Sequence, residues 1–171
     1  MLEVRRRLRA GEPPPFTVIA ETQSGGVGRH GRPWSSPRGG WWLTTAVALP
    51  PERPVLADHT VLDVALWVRT VCEGTLGATM GGATPAVRIK WPNDIMVDDL
   101  KLAGVLIEVV PTAQAVVALI GVGVNADVHA ADLDAGVRHR ATSIRELTRA
   151  PIPPELAASA PELLSRKLQT A

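Results

Sequence analysis

Residues 114–124 read QAVVALIGVGV, an almost unbroken apolar run. It is far shorter than the roughly 20 apolar residues that a membrane-spanning helix needs. Its length and its β-branched residues suit a strand. Because apolar residues do not alternate with polar ones, that strand must be covered on both faces. A sheet with cover on each side is therefore the first requirement on the fold.

The flanking segments supply that cover. Residues 2–10 read as a helix, with Val4 and Leu8 four apart toward a core and Arg5, Arg6, Arg7 and Arg9 mostly toward water. Residues 11–15 end it. Strands are expected at 16–21 and at 41–49, the second closed by Pro50 and Pro51. Residues 57–76 form the clearest helix, with Val61, Ala65, Val68 and Cys72 on one side, and 77–85 form a loop. A strand at 87–90 stops at Pro92. Residues 94–97 and 101–110 make a hairpin turning at Asp98, Asp99 and Leu100. A polar loop over 125–140 leads to helices at 143–148 and 154–168. Strands interleaved with helices predict an α+β class with a mixed β-sheet flanked by helices. A mass of 18.2 kDa fits one domain spanning 1–171.

Composition removes several function classes. A single cysteine, Cys72, excludes a disulfide framework or a multi-cysteine metal site. A net charge of +1 argues against a general nucleic-acid binder. The N-terminal arginines are followed by no apolar stretch of signal-peptide type, so a cytoplasmic location is expected. The histidines lack paired ligand spacing, and no metal site is expected. Lysine is scarce: of 18 basic residues only Lys90, Lys101 and Lys167 are lysine, and two of these lie in one central segment.

Three segments carry chemistry. The first, 21–34, follows a strand and combines four glycines with Arg29 and Arg32. Glycines allow close backbone approach to a ligand, successive N–H groups cradle anions, and guanidinium groups add forked donors. It is neither a P-loop nor a dinucleotide fingerprint, because no GKS or GKT occurs and the glycine spacing is wrong. In the second, 88–104, the hairpin can bring the Asp94 carboxylate beside the Lys101 ammonium, making the lysine a positioned cation. Gly104 marks a close approach. In the third, 121–125, alternation puts Gly121, Gly123 and Asn125 on one side, forming a slot with an amide at its end.

Together these segments resemble the catalytic domain of biotin–protein ligases. The family's loop pattern AExQxxGxGRxGRxW is matched from Ala20 to Trp34. Its KWPND and KLAGxLxE elements are matched from Lys90 to Glu108, its GxGxN from Gly121 to Asn125, and a further short element by Ala141 to Ile144. The resemblance implies a fold like class II aminoacyl-tRNA synthetases. It also implies a two-step reaction: biotin and ATP with Mg²⁺ give biotinyl-5′-AMP, and the acyl group then passes to a lysine of a biotin carboxyl carrier protein domain. In this reading Lys101, Arg29 and Asp94 are catalytic. Gln23, Gly26, Val27, Gly28, Arg29, Lys101, Gly104, Gly121 and Gly123 bind biotin. Arg29, Arg32, Trp34, Lys90, Asn93 and Asn125 bind the nucleotide.

The apolar stretches are too short or interrupted to span a bilayer, so no membrane partner is expected, and the same resemblance implies no DNA partner and a homodimer joined edge to edge. Val27 stands where many relatives carry arginine, which implies weaker loop closure. The family's Ser-Thr-Asn element before the first helix, its C-terminal SH3-like barrel and the DNA-binding domain of repressor-type relatives have no counterpart. A catalytic domain truncated at both ends is therefore expected. The alternatives are a degenerate domain that binds biotin or its adenylate without transfer, and a lipoyl or octanoyl ligase of the same fold.

Overall fold

A computed structural model describes residues 1–52 and 59–169. Helix α1 (Leu2–Arg9) precedes strands β1 (Phe16–Ala20) and β2 (Trp41–Ala48). Helix α2 (Thr60–Met80) leads to β3 (Val87–Lys90), β4 (Asp94–Val97), β5 (Leu100–Pro111) and β6 (Val116–Val124). Helices α3 (Ile144–Thr148) and α4 (Pro154–Leu168) follow. The six strands form one sheet in the order β1-β2-β6-β5-β4-β3, so the apolar run is an interior strand.

The α+β class holds, but the expected mixed sheet is antiparallel at every pair of named strands. The reason is connectivity. β3 to β6 follow one another through short turns, and short turns can only reverse a strand. Among the described residues the parallel contact is an isolated bridge between Lys101 and Ala141.

Strand β6 shows how the sheet divides. Ala118, Ile120, Val122 and Val124 enter a large core with Val64, Val68, Cys72 and Leu76 of α2 and Leu164 and Leu168 of α4. On the other face, Val117 and Leu119 pack with Ala46 beneath Val4 of α1. Farther along that face, Trp42 packs with Val128 and Leu133. Trp41 and Trp42 are thus both buried, one in each layer.

Helix α2 runs past the residue 76 expected for its end. Gly74 and Gly77 are accommodated within it, and it stops at Gly81, which is left-handed (φ 64°) and returns its N–H to the Gly77 carbonyl. The expected start at 57 lies outside the described residues. In α1, Arg6 and Arg7 turn to Glu3 and hold its carboxyl down at about 2. Arg5 and Arg7 are half-buried while Arg6 is exposed, and Arg5 turns away from Glu3. It reaches across to Glu108 of β5 at 2.8 Å and ties α1 to the sheet.

Burial pushes the Cys72 thiol up to about 12. Below about pH 9 the thiol keeps its proton in both folded and unfolded chains. Between about 9 and 12 only the unfolded chain loses it, so the thiol's contribution to stability disappears over that window. We expect Cys72 to resist an aromatic disulfide reagent at pH 8 in the native protein and to react stoichiometrically in denaturant. Fast native-state labelling would contradict this packing.

Candidate functional site

Directly opposed residues of an antiparallel ladder share a face. The register therefore sets Asp94, Gly104, Gly123 and Trp42 in one row across β4, β5, β6 and β2. The next row holds Leu106, Gly121 and Thr44. Both rows lie on the face away from α2 and α4. Where neighbouring rows carry large side chains, these three glycines leave bare backbone.

Lys101 reaches this face through an irregularity. Counting back from the Asp94–Gly104 pair, strict alternation would point Lys101 toward the helical layer. The register slips between Ile95 and Met96, so that Met96 pairs with Lys101 and Leu102 is the extra residue. Leu102 and Ala103 are both buried in the core shared with α2, and Lys101 turns to the glycine face. Its Nζ donates to Asp94 Oδ1 at 2.6 Å, with both side chains about three-quarters buried. The hairpin argument from sequence reached the pair but did not foresee the bulge that makes it.

The glycine-rich segment is an ordered hairpin. Trp34 N–H donates to the Gly26 carbonyl and Gly28 N–H to the Arg32 carbonyl, both at 2.8 Å, and Val27 bridges Pro33. His30 (φ 57°) and Gly31 (φ 70°) turn the tip. A side chain on Gly26 would strike the Trp34 carbonyl and lie 2.8 Å from Gln23 Oε1, so this position admits only glycine. Gln23 is braced by Ser36, whose hydroxyl donates to its Oε1 at 3.1 Å.

Two anchors dock the hairpin on the sheet. Arg29 Nη1 donates to Asn93 Oδ1 at 2.9 Å, and buried Asn93 is tied to Val105 through its side chain and its backbone carbonyl. Trp34 lies over the glycines: a Cβ on Gly123 would be 2.7 Å from its Nε1, and one on Gly104 3.2 Å from its ring. The indole meets Trp42 edge-on at 6.4 Å, and Lys101 Nζ stands 4.9 Å from the Trp34 ring centroid, a cation–π distance. Among the described residues, the Trp34 N–H is buried without an acceptor.

The remaining expected site residues divide. Lys90 lies opposite Asp94 in the β3–β4 ladder, and it and Arg32 are exposed at the rim. Gly121 sits beneath the Met1 side chain. Asn125 is buried, and its amide donates to the carbonyls of Thr142 (3.0 Å) and Lys101 (3.4 Å), bracing the strand that carries the lysine. Ser36 and the Thr142–Ser143 brace were not read from sequence as part of the site. Ser143 had a signal: with Glu146 three residues on, it starts α3, accepting the Glu146 N–H while donating to the Val128 carbonyl at 2.6 Å.

A cationic lysine held by a carboxylate on bare backbone, roofed by an indole and flanked by an anchored arginine, suits a flat ligand that carries an anion. The biotin/lipoate A/B protein ligase family matches residues 6–125. The chain belongs to this family. Among curated family relatives, the bifunctional ligase/repressor BirA of Escherichia coli is 37% identical over 108 residues, covering 63% of this chain and 32% of that protein. The biotin–[acetyl-CoA-carboxylase] ligase of Paracoccus denitrificans is 37% identical over 111 residues, covering 63% of this chain and 43% of that one. The chain thus spans only a third to two-fifths of these relatives. The Leishmania major biotin protein ligase in complex with biotinyl-5-AMP superposes with a TM-score of 0.70 at 26% identity, over 99% of this chain and 70% of that chain. The Aquifex aeolicus biotin protein ligase in complex with biotin and ATP shares the fold, with a TM-score of 0.61 at 22% identity, over 90% of this chain and 62% of that chain.

The two glycines under Trp34 should differ in tolerance. Gly123→Ala forces the indole off the sheet and should cost about 1–3 kcal/mol. Gly104→Ala asks only for small shifts, offset by the roughly 0.5–1 kcal/mol that alanine gains over glycine in a strand. Urea midpoints should therefore rank Gly123→Ala well below Gly104→Ala; equal midpoints would refute this account of the floor.

Proposed function

We propose that this chain is the catalytic domain, spanning 1–171, of an ATP-dependent biotin–protein ligase. The observation that carries the reading is the Lys101–Asp94 pair set on the Gly104–Gly123 floor beneath Trp34. The named relatives and the biotin complexes of its structural neighbours support it.

In the first step a biotin carboxylate oxygen attacks the α-phosphorus of ATP. The bond to the bridging oxygen breaks, and pyrophosphate leaves with the electron pair. Two anions must meet, so positive charge has to wait where negative charge accumulates. Lys101 supplies it, aimed by Asp94, and Arg29, aimed by Asn93, supplies more. Magnesium arrives with the nucleotide phosphates; among the described residues no cluster of three His, Cys, Asp or Glu could hold a metal alone. Gly104 and Gly123 seat the Trp34 indole that walls the biotin slot, its N–H a donor for an acceptor on the ligand, and Gly121 opens to the slot when the Met1 side chain above it moves aside. Gln23 and the Gly26–Gly28 backbone border biotin, while Arg32, Lys90, Asn93 and Asn125 lie on the nucleotide side. Val27, in place of a further guanidinium, lets the loop hold the adenylate less tightly.

In the second step the amine of a carrier-protein lysine attacks the acyl carbon and AMP leaves. The acceptor is a biotin carboxyl carrier domain, not DNA. No helix among the described residues is long and apolar enough to cross a membrane, and we place the enzyme in the cytoplasm, as a homodimer joined through sheet edges.

Biotin-dependent formation of biotinyl-AMP from labelled ATP, without carrier, tests the reading directly. Product is expected from the chain as it stands. Charge-assisted contacts contribute about 1.5–3 kcal/mol, one to two decades if made only in the transition state. Lys101→Ala should therefore slow adenylate formation at least tenfold at saturating biotin and ATP. An unchanged rate would remove Lys101 from its role.

A further inference from the structure

Trp91 is 79% exposed, whereas the other four tryptophans are buried or half-buried. It occupies the β3–β4 turn between residues committed to the site. Lys90 stands opposite Asp94, the partner of Lys101, and Asn93 holds Arg29. Trp91 therefore stands in the turn that joins two residues of the site, and its indole, open to solvent, takes part in none of the site's contacts among the described residues. A second exposed apolar side chain, Val27 at 58%, lies two residues from Arg29 on the facing hairpin. On the same hairpin and turn Arg29, Arg32 and Lys90 are exposed.

A small-molecule site buries most of its ligand, and an indole open to this degree makes a poor wall for one. It has the character of a protein-docking anchor: tryptophan and arginine are enriched among the residues that dominate association, and anchors sit centrally with charges around them. The proposed second step requires a protein to bring a lysine to this rim, and whatever does so must cover the turn. We infer that Trp91 is the docking anchor for the acyl-acceptor protein. The matching partner surface presents an apolar patch, with carboxylates facing the basic collar, beside its acceptor lysine. This inference rests on the ligase reading above.

The test separates the two half-reactions in the full chain. Trp91→Ala should leave adenylate formation within twofold of wild type. It should also leave unchanged the capture of the acyl group by hydroxylamine, whose nitrogen forms the new bond to the acyl carbon as AMP departs. Transfer to an isolated biotin carboxyl carrier domain should fall at least tenfold in kcat/KM, mainly through KM, with Trp91→Phe restoring most of it. Raising salt from about 50 to 500 mM should raise the wild-type KM for the carrier. Normal transfer by Trp91→Ala overturns the inference. So does a parallel loss of adenylate formation, which would make Trp91 a nucleotide contact, or a change confined to oligomeric state, which would make it a contact between copies. A wild-type chain that makes no adenylate overturns the ligase reading, and the docking role with it.

Discussion

The bulge at Leu102 inserts one extra residue into β5 and thereby sends two neighbours to opposite faces of the sheet. Leu102 joins the core beneath α2, while Lys101 turns to the other side. Without the slip, side-chain alternation would place the lysine among aliphatic groups, where an ammonium ion is expensive to bury, and Asp94 would face the glycine row alone. The 2.6 Å pair, the nearby Trp34 ring and the bridge to Ala141 all depend on this one irregularity. Bulges commonly serve to re-aim a side chain beside a functional site.

The glycine row is the second constraint. Because residues 104 and 123 lack side chains, the Trp34 indole descends onto the sheet backbone and carries its hairpin with it. The hairpin then delivers Arg29 to Asn93, which the β4–β5 pair has already immobilised through Val105. Each cation of the site is thus aimed by a fixed group, Asp94 on β4 and Asn93 in the turn just before it, and the sheet that carries both is held rigid by the core behind it. That division of labour suits electrostatic catalysis, in which charges fixed in advance avoid reorganisation during the reaction.

Much of this was legible beforehand. Hydrophobic patterning and proline positions located all six strands and the helices to within a few residues at most boundaries, because those signals are local. The exceptions have physical causes. Helix α2 passes two glycines before stopping, since a buried apolar face outweighs the roughly 1 kcal/mol that each glycine costs. Arg5, still partly exposed, pairs with Glu108, a partner 103 positions away that no helical pattern could indicate.

The sequence by itself determined the class of fold, the three segments of the site and the family, because spacing and residue type are written along the chain. The tertiary structure decided which face each segment serves. Lys101 depends on a register slip, Asn125 became a brace for the lysine strand, and Gly123 acquired its purpose from an indole 89 positions earlier. Such relations arise only when strands distant in sequence are set side by side, and a shift of one residue in that pairing reverses every side chain.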